Sequence, residues 1–197
     1  MKVFKGYDQA KVNAQRSGSE RLPAGAYVCD IIGVKAEEGK DDNSDKILIQ
    51  FDIAEGDYKG FFKKQYDDNT ADDKKYKGKT TIYCPRDDGS EKDEWTKNTF
   101  AKWTNALEES NSGYHWDWDE AKWKGKKIGI VFGDTGTRIE GKDIVYTEAR
   151  YPVSVEKVRA GKAGEAKFKA KNGYGKETPT DGFVNIPDGI DEELPFA

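Results

Sequence analysis

Apolar and polar residues alternate most clearly over Lys46-Ile47-Leu48-Ile49-Gln50-Phe51-Asp52-Ile53, with Ile47, Ile49, Phe51 and Ile53 on one face and Gln50 and Asp52 on the other. This two-residue period predicts a half-buried strand. Upstream, the turn signal Leu22-Pro23-Ala24-Gly25 opens Ala26 to Val34, a run rich in β-branched residues that reads as a first strand. The charged, Gly-containing stretch Glu37 to Asp45 is the turn between the two. Beyond Glu55-Gly56-Asp57, the run Gly60 to Tyr66 reads as a third strand in which aromatic and basic side chains share both faces. By alternation Phe62, Lys64 and Tyr66 lie on one face and Phe61, Lys63 and Gln65 on the other, so only one set can meet a ligand. Asp67 to Gly78 is too charged to pack and reads as a loop, after which Lys79 to Cys84 resumes strand character.

The period then changes. Ser90 offers an N-cap three residues before Asp93, and Thr96, Phe100, Trp103 and Leu107 follow at helical spacing, which predicts a helix over 91–109. Its apolar stripe needs a sheet or barrel end to cover. Lys127 to Phe132, with Ile128, Ile130 and Phe132 alternating, and Asp143 to Val155, ending near Pro152, supply two closing strands. Gly133-Asp134-Thr135-Gly136 reads as a hairpin turn. The fold class is therefore mainly β, and the element order is that of a five-stranded oligonucleotide-binding (OB) barrel with one helix between strands 3 and 4. Residues 21–159 form that domain, behind a polar arm of residues 1–20. Residues 160–187, with recurrent Gly, Ala, Lys and Pro and no apolar period, read as a flexible linker, and residues 188–197 as an acidic tip.

Charge sharpens this division. The chain carries a net −4, of which Gly161 to Ala197, with five Lys against seven acids, holds −2. The body keeps the other −2, so a site for a polyanion must be a local patch rather than a global field. Cys29 and Cys84 lie in strand-like stretches without metal or redox spacing and read as two buried thiols rather than a disulfide. No apolar run has the length of a signal peptide or membrane span, which predicts a cytoplasmic protein that does not contact membranes. His115 is the single histidine, in Tyr114-His115-Trp116-Asp117-Trp118-Asp119, and no zinc set or catalytic triad assembles around it. The tryptophans there are expected to cap the barrel, with at most one exposed. Asp41-Asp42, Asp67-Asp68 and Asp72-Asp73 read as solvated turns rather than Mg²⁺ ligands. No catalytic residue, metal site or cofactor is assigned.

The last ten residues, Asp188-Gly189-Ile190-Asp191-Glu192-Glu193-Leu194-Pro195-Phe196-Ala197, set an acidic run before Leu-Pro-Phe. This segment resembles the C-terminal tip of bacterial and phage single-stranded DNA-binding proteins. Leu22-Pro23-Ala24-Gly25-Ala26-Tyr27 and the stretch Phe51 to Gly60 are similar, in outline, to OB-fold binding proteins encoded beside phage recombination and replication genes. The resemblance implies that Asp191, Glu192 and Glu193 meet a basic rim on a partner replication or recombination protein while Leu194, Pro195 and Phe196 supply the apolar anchor. The commonest tips of that family end at the Phe, whereas Ala197 follows here, which questions the terminal-carboxylate contact and leaves the Phe anchor.

Binding single-stranded DNA requires ring faces for bases and cations for phosphates. The candidates are Phe61, Phe62, Lys63, Lys64 and Tyr66 on the expected third strand, Tyr83, the run Trp123, Lys124, Lys126 and Lys127, and Arg138 and Arg150 with Tyr146 and Tyr151 near the end of the domain. The expected function is sequence-tolerant binding of single-stranded DNA in replication, recombination or repair, in the bacterial host cytoplasm if the chain is phage-encoded. The alternative is an OB-fold interaction or inhibitor module, which the acidity of the body favours. A homo-oligomer is left open.

Overall fold

A computed structural model describes residues 21–39 and 44–175. The expected arm over 1–20, the remainder of the linker from 176 and the tip over 188–197 lie outside the described residues. The chain forms β1 (Gly25–Glu37), β2 (Lys46–Ile53), α1 (Phe61–Asp68), β3 (Lys79–Tyr83), α2 (Glu91–Ser110), a 3₁₀ turn (Glu120–Trp123), β4 (Lys127–Ile139), β5 (Lys142–Val153), α3 (Val155–Arg159) and β6 (Lys169–Lys171). The strands make one mixed, open sheet in the order β3-β2-β1-β4-β5, and β6 pairs parallel to β4. β1 is shared, pairing antiparallel with β4 through residues 25–30 and with β2 through residues 29–37. A register shift between Ile31 and Gly33 lets it bend between these neighbours.

The inward positions of the alternating strands form the core. Ile31, Ile49, Phe51, Ile82, Ile128, Ile130 and Phe132 are almost wholly buried, with Phe100, Trp103 and Leu107 of α2 closing over them. Helix α2 forms where its sequence predicts. Ser90 Oγ accepts from Asp93 N at 3.2 Å, and Glu91, Asp93 and Glu94 place negative charge in the first turn. Its far end is tied to the sheet by Asn111, whose Nδ2 donates to the carbonyls of Leu107 and Lys127, both at 2.8 Å, while Oδ1 accepts from Lys127 N. Trp123, 0% exposed, plugs the sheet end and donates from Nε1 to Tyr114 Oη at 2.9 Å. Burying such a ring contributes about 2–3 kcal/mol.

Four expectations give way. Phe61–Asp68 is a helix, not a strand. Gly133 to Gly136 is not a turn but the middle of β4, and the hairpin closes instead at Glu140 and Gly141, whose φ values of 49° and 77° suit a two-residue turn. Within the expected linker, Lys169–Lys171 forms β6 beside the half of β4 that β1 has left. Closed-barrel pairing between β3 and β5 is absent among the described residues; the sheet is open there. Both cysteines are free, Cys29 buried and Cys84 half-buried. No helix among the described residues is long and apolar enough to cross a membrane.

Candidate nucleic-acid interface

The open side of the sheet is built around α1. Its N-cap position is Gly60 in the left-handed region, which supplies no capping side chain. The cap comes from β2: Asp52 Oδ1 accepts from Phe62 N at 2.9 Å and Oδ2 from Lys63 N at 3.0 Å. A carboxylate at a helix N-terminus satisfies free N–H groups and opposes the helix dipole. This tertiary cap accounts for a helix where local alternation predicts a strand.

After α1 the chain returns across β2. Tyr76 donates its hydroxyl to Phe51 O at 3.1 Å, and Phe51 N donates to Gly78 O at 2.8 Å. Burial, then the charge of Asp52, pushes the Tyr76 hydroxyl well above its ordinary range, so it remains a donor. Gly78 is buried where the chain crosses. A Cβ there would overlap the Phe51 carbonyl and lie 2.8 Å from Phe62 Cγ, so only glycine allows this approach. Tyr66 packs 5.9 Å from Tyr76, with Lys74 Nζ 4.5 Å over its ring.

The return leaves a cleft of about 490 Å³ between the start of β3 and residues 146–149 of β5. Phe51, Phe62 and Phe132 form its floor, with centroids 5.7 to 6.1 Å apart. Lys75, Lys77 and Lys79 line one side and are exposed; Glu148 lies on the other. Among the described residues no carboxylate lies within ion-pair distance of these three lysines. From Lys79 the outward face continues along β3 through Thr81 to Tyr83, opposite Gln50, Leu48 and Lys46. Tyr83 and Trp95, 45% and 59% exposed, end this track with ring centroids 6.5 Å apart. Ammonium groups at one end and accessible rings at the other provide the two interactions that an unpaired strand uses.

The sequence-derived candidates do not gather on one face. Phe61 and Phe62 pack into the core, and Tyr66 supports the cleft from beneath Lys74. Lys63 pairs with Asp67 at 2.6 Å, which raises its pKa, while Lys64 stands exposed. Tyr83 lies on the β3 track. Trp123 offers no ring face to solvent, a correction to its candidacy for stacking. Lys124 is exposed, Lys126 sits 4.1 Å over the Tyr114 ring, and Lys127 pairs with Asp30 at 2.9 Å. Arg138 is held by Asp143 at 2.7 Å. Arg150 is largely covered, bonded to Glu148 at 2.8 Å and to Thr135 Oγ1 at 2.6 Å. Lys75, Lys77, Lys79 and Trp95 escaped the sequence reading, although Lys74-Lys75-Tyr76-Lys77-Gly78-Lys79 sets four lysines around a tyrosine with no acid. Its placement within a charged loop hid that signal.

No protein-family model matches the chain, and no curated protein matches it significantly.

Proposed function

We propose that this protein binds single-stranded DNA with little sequence preference, along the track from Lys75 to Tyr83 and Trp95, and recruits replication or recombination proteins through its acidic C-terminal segment. We read the sheet as an OB-type barrel left open between β3 and β5. Support for that reading comes from β1 being shared between β2 and β4, and from the long helix lying between β3 and β4. The observation that carries the functional reading is the row of three exposed lysines beside an aromatic cleft, continuous with two exposed rings. Phosphates would lie along the lysines, and one or two bases against Tyr83 and Trp95, each stacked base contributing about 1–3 kcal/mol. The exposed rings favour unpaired strands, because in a duplex the base faces are already stacked.

Titrating the chain with labelled oligo(dT) and with duplex of the same length tests this reading. The expected result is quenched tryptophan fluorescence, an affinity for the single strand far above that for the duplex, and a steep fall with added salt. Absence of binding at low salt would sink it. Removing Asp188 to Ala197 should leave DNA affinity unchanged or tighter, because those acids compete with phosphate, while abolishing retention of replication or recombination proteins.

A further inference from the structure

A larger cavity, about 620 Å³, lies at the other end of β2, between the β1–β2 hairpin, the segment after β3 and the 3₁₀ turn. Its lining inverts the chemistry of the lysine cleft. Five carboxylates, those of Glu37, Glu38, Asp45, Asp87 and Glu120, face two lysines. Both lysines are engaged: Lys46 with Glu37 at 3.2 Å, and Lys97 with Asp93 at 2.7 Å and Asp87 at 3.3 Å. Among the described residues no cation pairs with Glu38 or Glu120. The lining therefore repels phosphate and has carboxylates to offer a cation.

The aromatic wall holds two further unmet demands. Trp118 is 76% exposed and stacks on Phe100 at 6.3 Å with 16° between the rings, on a backbone held at φ 66°. A bulky residue in the left-handed region that also leaves its ring in water gains little within the fold. Trp116 also lines the cavity, and its Nε1 is buried without an acceptor among the described residues. Buried donors are ordinarily satisfied. Cation, ring and carbonyl together describe a basic peptide carrying an aromatic side chain.

The chain contains such a segment. Lys2-Val3-Phe4-Lys5-Gly6-Tyr7 has two lysines, two rings and no acid. Arg21 lies fourteen residues beyond Tyr7, enough chain to span about 46 Å when extended. β1 runs from Gly25 to Glu37 at the cavity, a distance of roughly 40 Å at the usual rise. We propose that Lys2 to Tyr7 docks in the cavity of its own chain. Lys2 and Lys5 pair with Glu38 and Glu120, a ring lies against Trp118, and a backbone carbonyl accepts from Trp116 Nε1. The proposal is independent of DNA binding.

The test is NMR of the indole N–H groups in the full chain at low salt. K2E/K5E should move the Trp116 and Trp118 resonances and leave that of Trp123, already bonded to Tyr114, in place. E38K/E120K should move the same two, and combining all four substitutions should return them to their original positions. Unmoved Trp116 and Trp118 resonances in K2E/K5E would overturn the proposal and leave the cavity to a different cationic partner. Failure of the combined variant to restore them would overturn the pairing. Resonances that depend on protein concentration would point to exchange between copies and overturn docking within one chain.

Discussion

The two cavities at the ends of β2 have similar floors and opposite rims. One sets Lys75, Lys77 and Lys79 beside buried phenylalanines; the other sets five carboxylates around Phe100, Trp116 and Trp118. Aromatic surface alone therefore does not identify a ligand in this molecule, because the sign of the rim decides which aromatic-seeking partner can approach. The comparison also accounts for how a mildly acidic body can hold a site for a polyanion. The net charge averages over two local fields separated by a strand, and fields from exposed charges fade over about 8–10 Å at ordinary ionic strength.

The largest expected effect comes from reversing one rim. K75E/K77E/K79E should lower affinity for oligo(dT) about 100-fold or more and reduce the salt slope by about 2, since each phosphate that is no longer neutralised removes roughly 0.7. E38K/E120K, the same kind of change at the other end, should alter that affinity by no more than about threefold. Fluorescence anisotropy across a salt series reads both, and equal effects would break the comparison. Next in size is Gly78→Ala, which forces the return loop away from Phe51 and Phe62. It should lower unfolding free energy by about 1–3 kcal/mol, seen as a shifted urea midpoint. Tyr83→Ala and Trp95→Ala should each weaken oligo(dT) binding about 5- to 10-fold with an unchanged circular dichroism spectrum, whereas Trp118→Ala should leave binding as it is.

The smallest effect is at the acidic end and depends on pH. Lys97, followed by the backbone N–H groups of Asp87 and Gly89, holds the Asp93 carboxyl at about 2 against an ordinary 3.8. Because the folded value is the lower one, this stabilisation is complete above about 3.8 and is lost as pH falls towards 2. Asp93→Asn should flatten that acid limb in urea midpoints measured down the pH scale. It should leave the lysine-cleft affinity at neutral pH unaltered.

The sequence alone determined the parts whose causes lie within a few residues. The two-residue period of β2, the Ser90 cap with the helical stripe of Phe100, Trp103 and Leu107, and the alternation that opens β4 each appear where the residues predict. Backbone geometry repeats over two to four positions, so these patterns are local by nature. The tertiary structure decided the rest. Asp52, ten residues before Phe62, caps α1 and converts an aromatic-basic run from strand to helix. β4 continues past its apparent Gly-rich turn because β5 pairs with it as far as Ile139 and β6 takes the side that β1 has left. The lysines of a loop too charged to pack become a rim only because Gly78 lets that loop cross β2 against Phe51 and Phe62. Charge along a chain sums without regard to direction, and only the fold sorts it to opposite ends of one strand.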